Sequence, residues 1–489
     1  MVIAVSAMPG LPRAVLRWSV SGDPGGVLVM EPTEDGSRNN VLGWNASYGR
    51  QPTHGRSALS TVLRISTTVH RLRPPAPASD SARRSWPLAH STLDSRERMS
   101  STPDPPLLLS VLSGVAEVSA PAWDALVDGD DPFLEHAFLT ALERSGSVGP
   151  DTGWEPRILV ARQGEELVGA VPLYLKDDSM GEFIWDFAWA HGSHSAGIPY
   201  YPKLVAAVPF TPAASHRLMV HPKADRARVA RALAQGLREV AEETEATSVH
   251  VLFCLEEELA ELAPQGFVAR ASHQFHWTNR TSPYPSFDDY LCEFRSRTRK
   301  QVRHERAVVG DYGLRIVTSP GDELDDRAWD ALDRFYRSTV DRYGNVAALT
   351  PAFFEEIRRT HAHRLLAVLA YQGDEPIAGT INFVRGGRLC GRYWGSASPL
   401  PMLHFELCFY RLIEHAITHR LATFEGGAGG EQKLARGLLP QRTFSAHWIR
   451  HHGLAHAVGD YITREAMAVE AEMRACLEHS PFARARPPL

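Results

Sequence analysis

The chain has 489 residues, 44% of them hydrophobic and 22% charged, and carries a net charge of −5. This is globular composition of a length that suits two or three domains, and the slightly acidic balance gives no reason for the whole surface to hold nucleic acid. Five scattered cysteines (254, 292, 390, 408 and 476) without a CxxC pair exclude a disulfide frame or a cysteine zinc site and read as buried reduced thiols, and no apolar run nears the ~20 residues of a membrane helix.

Residues 1–98 stand apart. They hold twelve Arg against seven acids, and no Lys, Phe or Cys. Clusters such as RPPAPASDSARRS interrupt every apolar run, so this stretch is expected not to bury enough apolar surface to fold. It reads either as an Arg-rich targeting segment or as an extension upstream of a start at Met99; the opening MVIAVSAMPGLPRAV lacks the basic n-region of a signal peptide.

From Leu107 the pattern becomes α/β. LLLSVLSG reads as a strand, AWDALV and FLEHAFLTALERSG as helices, and RILVARQGEELVGAVPLYLK as two strands about a tight turn. The aromatic stretch FIWDFAWAHG, a strand LVAAVPF, a long helix in ADRARVARALAQGLREVAEE and the strands SVHVLF and FVARASHQFHW follow. The hairpin phrase then returns: ILVARQGEELVGAVPLYL at 158–175 matches VLAYQGDEPIAGTINFV at 368–384, with similar flanks. The expectation is a duplicated α/β (α+β) chain with mainly antiparallel sheets, its units spanning 99–278 and 279–489 with a C-terminal helix.

In the second unit RLCGRYWGSA is a strand, PLPMLHFELCFYRLIEHAITHR a helix, LATFE and FSAHWI strands, and HAVGDYITREAMAVEAEMRACLEH a closing helix. Between the last two strands lies FEGGAGGEQKLARG, with five glycines in fourteen residues. It is not a P-loop, because Lys433 follows Gln432 and precedes Leu434, and not a dinucleotide fingerprint, because Gln432 stands where a third glycine belongs. The residues still suit an anion. Gly427, Gly429 and Gly430 allow backbone donors to approach, Lys433 and Arg436 supply charge, and the start of the helix after Gly395-Ser396 offers unpaired N–H groups.

The strings GRYWGSASPLPMLHFELCFYRLIEHAI, FEGGAGGEQKLARGLLP and TFSAHWI resemble the FemAB-like predicted N-acyltransferases, a peptidoglycan biosynthesis/recognition family. So do DPFLEHAFLTALERSGSVGPDTGWEPRILVAR, AGIPYYPKLVAAVPFTP, FHWTNR and FRSRTRKQVRHER, and the resemblance covers nearly all of 107–482 but not 1–98. It implies two GNAT-type acyltransferase folds in tandem. It also implies transfer of an acyl or aminoacyl group to an amine, with acyl-CoA or aminoacyl-tRNA as donor and a small amine or lipid-linked cell-wall precursor as acceptor.

On that reading His404, Glu406 and Glu425 are candidates to hold or deprotonate the amine, and Tyr393 to donate a hydrogen bond. The plainer readings are a helix cap for His404 and Glu406, a strand-end charge for Glu425, and core packing for one of Tyr393 and Trp394. Fem enzymes carry a Phe-Lys-x-Gly-Phe string where this chain has Lys433-Leu-Ala-Arg436-Gly437, so the lysine's role falls on either basic residue. The run FRSRTRKQVRHER, with Arg297, Arg299, Lys300 and Arg303, is a solvated helix face or a track for a pyrophosphate or tRNA. Tyr200 and Lys203 line a cleft between the halves or pack the core, as does Trp394. No metal is expected. The implied protein is cytoplasmic, with tRNA and peripheral membrane contact as further partners; the alternative is a recognition protein for cell-wall precursors without chemistry.

Overall fold

The computed structural model describes residues 106–342 and 346–483 and, upstream, two short strands, Val15–Arg17 and Val29–Glu31, paired antiparallel. Apart from this ribbon, the expectation for residues 1–98 lies outside the described residues. The ribbon belongs to one compact unit and Pro103–Leu489 to another.

Its first half supplies β1 (Leu107–Leu112), β2 (Glu155–Pro156), β3 (Ile158–Gln163), β4 (Glu166–Val171), β5 (Leu173–Lys176), β6 (Lys203–Ala206), β7 (Met219–Val220), β8 (Ser248–Cys254) and β9 (Val268–Thr278). The second supplies β10 (Arg315–Pro320), β11 (Leu365–Gln372), β12 (Glu375–Arg385), β13 (Arg388–Ser396), β14 (Thr423–Glu425) and β15 (Leu439–Ile449). Both repeated hairpins, β3–β4 and β11–β12, turn on a positive-φ glycine, Gly164 or Gly373, and both carry a bulge at the same place, after Ala161 and after Ala370. Duplication, read from the sequence phrase, extends to this irregularity.

β1, β3, β4 and β7 form a four-stranded sheet; all the others form one sheet of eleven in the order β10-β11-β12-β13-β14-β9-β15-β8-β6-β5-β2. Pro172, between β4 and β5, cannot donate to a ladder and marks where the first half's sheet divides. Every neighbouring pair in the eleven-stranded sheet is antiparallel except β6–β8 and β13–β14. A helix crosses between the members of each parallel pair, as parallel strands require. In the first half it is Arg226–Glu243, started by Asp225 accepting from the Arg228 amide and burying Val229, Leu233, Leu237 and Val240. In the second it is the segment from Leu403 to Thr418. The fold is therefore mixed α/β, each half carrying the repeated hairpin and a helix that crosses between two parallel strands.

The outer strand of each parallel pair is completed from the other half. β9, from the first, pairs with β14; β15, from the second, pairs with β8; and β9 and β15 pair with each other over nine positions, Val268–His276 with Leu439–His447. Local expectations needed three corrections. LVAAVPF forms a strand only over Lys203–Ala206. The helix expected over PLPMLHFELCFYRLIEHAITHR begins at Leu403 and contains a π-turn, Glu406–Tyr410. The thiols form no disulfide, but only Cys254 and Cys390 are buried, and Cys292 is exposed.

Candidate active site

β13 and β14 pair only over Arg388–Cys390 and Thr423–Glu425. β14 then ends in the glycine loop, while β13 runs on to Ser396 with a bulge: Asn382 opposes Gly391 and Ile381 opposes Tyr393, leaving Arg392 extra. The strands part as a fork. One wall is β13 beyond Gly391, the other is the loop 426–430, and the π-turn segment stands at the mouth. Gly427, Gly429 and Gly430 have φ of 77°, 67° and 96°, conformations that a side chain would strain.

Lys433 reaches into the loop from a short helical turn, Glu431–Arg436. Its Nζ donates to the carbonyls of Gly427 (2.6 Å) and Ala428 (3.3 Å), and among the described residues it pairs with no carboxylate. Burial pushes this amine down to about 7. His404, at the start of the second-half helix, has its ring centroid 5.0 Å from that of Trp394 and 5.6 Å from that of Phe409. Burial first, then the charges of Arg436 and Lys433, lowers His404 to about 4, so its imidazole is neutral at pH 7.

The other candidates have partners of their own. Glu406 is buried and held by Arg306, whose Nε and Nη2 each donate at 3.1 Å, and by Arg411 Nε at 2.8 Å. Arg436 is buried too: it donates to Glu305 at 2.9 and 3.1 Å and to the Gln432 carbonyl at 2.7 Å, and its guanidinium carbon lies 3.3 Å from the Phe405 ring centroid. Glu425 pairs with Arg388 at 2.5 Å, with Cys390 Sγ 3.9 Å away. Tyr393 packs against Tyr336, ring centroids 5.0 Å apart, on the sheet face opposite Trp394. The structure thus sets His404 against Trp394 and Lys433 against the glycine loop, and commits Glu406, Glu425 and Arg436 to ion pairs.

Tyr200 and Lys203 lie far along the sheet, in a buried polar cluster of the first half. Lys203 Nζ donates to Ser179 Oγ (2.7 Å), Glu182 Oε2 (2.9 Å) and Asp186 Oδ2 (2.5 Å), and Tyr200 Oη donates to Asp186 Oδ2 (2.7 Å). On the basic helix Ser296–Gly310, Arg297, Lys300 and Arg303 are exposed; Arg303 approaches Asp288 at 3.6 Å, and Arg299 donates to the Cys292 carbonyl. A cavity of about 270 Å³ lined by Phe287, Leu291, Arg303, Arg306 and Glu414 opens beside this helix. Reasoning from sequence missed Glu305. The signal was present, since Val302, Glu305 and Val309 fall at i, i+3 and i+7 and put the acid on the buried stripe.

Glu135, His361 and His363 bring three ligand-type atoms within 4.8 Å of one another. They do not fit a cation: Arg364 donates twice to the Glu135 carboxylate, at 2.9 and 2.7 Å, and Arg385 stands 3.3 Å from it.

Three solved structures resemble the chain at low sequence identity. FemX has 14% identity and a TM-score of 0.45, over 70% of this chain and 98% of its own. The C-terminal domain of a putative lysylphosphatidylglycerol synthetase from Agrobacterium fabrum has 11% identity and a TM-score of 0.44, over 71% and 96%. A tandem GNAT protein from the clavulanic acid biosynthesis pathway has 14% identity and a TM-score of 0.37, over 71% and 99%. A search of curated proteins finds no match. The profile of the FemAB-like family, described as peptidoglycan biosynthesis/recognition, matches residues 114–484, and with the fork, the glycine loop and the second-half helix all inside that span, the chain belongs to this family.

Proposed function

We propose that the protein is an N-acyltransferase that moves an acyl or aminoacyl group to the amine of a cell-wall precursor at the fork of the second half. The observation that carries this reading is Lys433, a buried amine brought to about 7 and held by loop carbonyls in place of a carboxylate. The acceptor nitrogen must lose a proton as it attacks the acyl carbon, the carbonyl oxygen must be stabilised as an anion, and the bond to the leaving group then breaks. Neutral Lys433 takes the proton; once charged, it faces the oxyanion. His404, neutral at the mouth, orients the amine. The units 99–278 and 279–489 are read as a supporting and a transferring half.

Acyl-CoA and aminoacyl-tRNA remain the two donors. No helix among the described residues is long and apolar enough to cross a membrane, in keeping with a cytoplasmic enzyme meeting precursors at the inner surface. A second reading, a recognition protein without chemistry, is favoured by the internal partners of Glu406, Glu425 and Arg436.

Melting of the full chain with acetyl-CoA, longer acyl-CoAs, free CoA and aminoacyl-tRNA separates these readings. A ligand at a hundred times its Kd stabilises the native state by about 2.7 kcal/mol, which a melting curve resolves. A donor that stabilises the wild type and is consumed when an amine is added supports the enzyme. A wild type that binds precursor but consumes no donor is the recognition protein.

A further inference from the structure

We infer that Glu305 and Arg306, neighbours on the helix Ser296–Gly310, are positioning residues that fix the separation of the glycine loop from the mouth of the fork. The inference rests on the fork being the site of transfer.

Glu305 joins the two lips directly. Both its oxygens accept from Arg436, on the loop side, and Oε2 also accepts from the Tyr410 hydroxyl, on the mouth segment. Arg306, one residue on, turns to the same segment with the opposite charge: it meets Glu406 through two hydrogen bonds of 3.1 Å and Glu414 through one of 3.1 Å. Glu406 and Tyr410 open and close the π-turn, so the turn is gripped at both ends by adjacent residues of one helix. A π-turn replaces the regular i→i−4 bonds of the helix with i→i−5 bonds over one turn, a rare form inside an α-helix.

On the loop side the grip reaches the proposed site through Arg436. Its guanidinium, held by Glu305, stands over the ring of Phe405, the neighbour of His404, and its own carbonyl accepts from Tyr290 Oη at 3.1 Å. Gly437 follows with φ of 85° against the Tyr290 hydroxyl, where a Cβ would collide. Lys433 is one helical turn before Arg436, so the position of its amine depends on that anchor. Glu305 is itself 4% exposed, and without its charge Arg436 would remain buried with no counter-ion.

The test is hydrogen exchange by mass spectrometry on the full chain, comparing wild type with Glu305→Gln and Arg306→Gln. E305Q is expected to speed exchange in 426–437 by about tenfold or more while β11 and β12 stay protected, and R306Q to do the same for 403–410. With the donor and amine found by melting, E305Q should lower kcat about tenfold or more with KM little changed, since a misplaced group costs rate more than binding. Unchanged exchange in 426–437, or an unchanged kcat, overturns the inference. If E305Q does not fold, the charge-swapped E305R/R436E takes its place: wild-type protection of the loop supports the grip, and a loosened loop in a folded swap overturns it. Local loosening in a wild-type background that transfers nothing supports the grip and overturns the fork as the transfer site.

Discussion

Lys433 and Glu425 are both buried near the fork, but only the acid has a charged partner. The lysine is hydrogen-bonded to carbonyl oxygens and, among the described residues, pairs with no carboxylate, so losing its proton relieves the desolvation, and its amine falls from 10.5 to about 7. Below pH 7 it is charged in both folded and unfolded chains, and the full cost of burying the charge opposes folding. Between 7 and 10.5 only the unfolded chain holds the proton, so stability rises with pH across that window. Lys433→Met should therefore be more stable than wild type below pH 7, with the gap closing towards pH 10.5 in denaturant titrations, and should lose about 10²–10³ in turnover if the amine serves the transition state. Glu425 instead has Arg388. Removing one partner strands the other, so Glu425→Gln should cost about 3–5 kcal/mol in chemical denaturation, and adding Arg388→Met should recover most of it. Residue types at the fork were legible in the sequence, where glycines, a lysine and strand-end acids stood out. Their partners were not, because Arg306, Arg388 and Glu305 lie from about forty to more than a hundred residues away from Glu406, Glu425 and Arg436, and no local pattern encodes a pairing at that distance.

Elements meet their harshest polar burial at the seam where β8 and β15 pair. His250 and His447 stand opposite each other there, Nδ1 to Nδ1 at 2.7 Å, so one imidazole donates and the other accepts; each Nε2 is bonded to a serine on its own strand, Ser248 or Ser445. Burial holds His250 down to about 3 and His447 well below its usual 6.5. Both are neutral in the fold and titrate in the unfolded chain, so their contribution is whole above pH 6.5 and lost as pH falls towards 3. Replacing both by Gln should flatten the acid limb of stability between those values, as followed by urea melts; an unchanged slope would mean that other groups drive acid unfolding. The neighbouring Glu182 runs the other way. Lys203 is shared between two carboxylates and sits closer to Asp186, at 2.5 Å, while Lys176 stands 3.9 Å from Glu182; burial outweighs both ammoniums and raises Glu182 to about 7. Strands and helices here were readable from period and turn residues. The π-turn was not, since its apolar spacing in FELCFYRLIEHAI is that of an ordinary helix and only the outside grips of Glu305 and Arg306 distinguish it.

At the scale of the whole unit, the repeated hairpin phrase made the duplication legible, but it could not show how the copies are joined. Each parallel strand pair ends on an edge, and each edge is covered by a strand from the other half, β9 beside β14 and β15 beside β8. That exchange is invisible to local pattern, because β9 and β15 would read the same if each stayed in its own half. It has an energetic consequence. Cutting the chain after Thr278 leaves the first fragment without β15, so β8 presents an unpaired edge with Leu252 and Cys254 uncovered, and leaves the second without β9, so β14 does the same. Those edges lie in the middle of the sheet, between buried faces, where unpaired backbone groups are costly. Fragments 103–278 and 279–489 should therefore show no cooperative melt alone, yet regain one when refolded together, because β9 and β15 also pair with each other and bring the halves into register. Independent melting of either fragment would show that the halves are separable domains and that the exchanged strands only decorate them. Recovery only on mixing would mean that the fork of the second half is built on a strand of the first. A supporting half would then be necessary for transfer even with no site of its own.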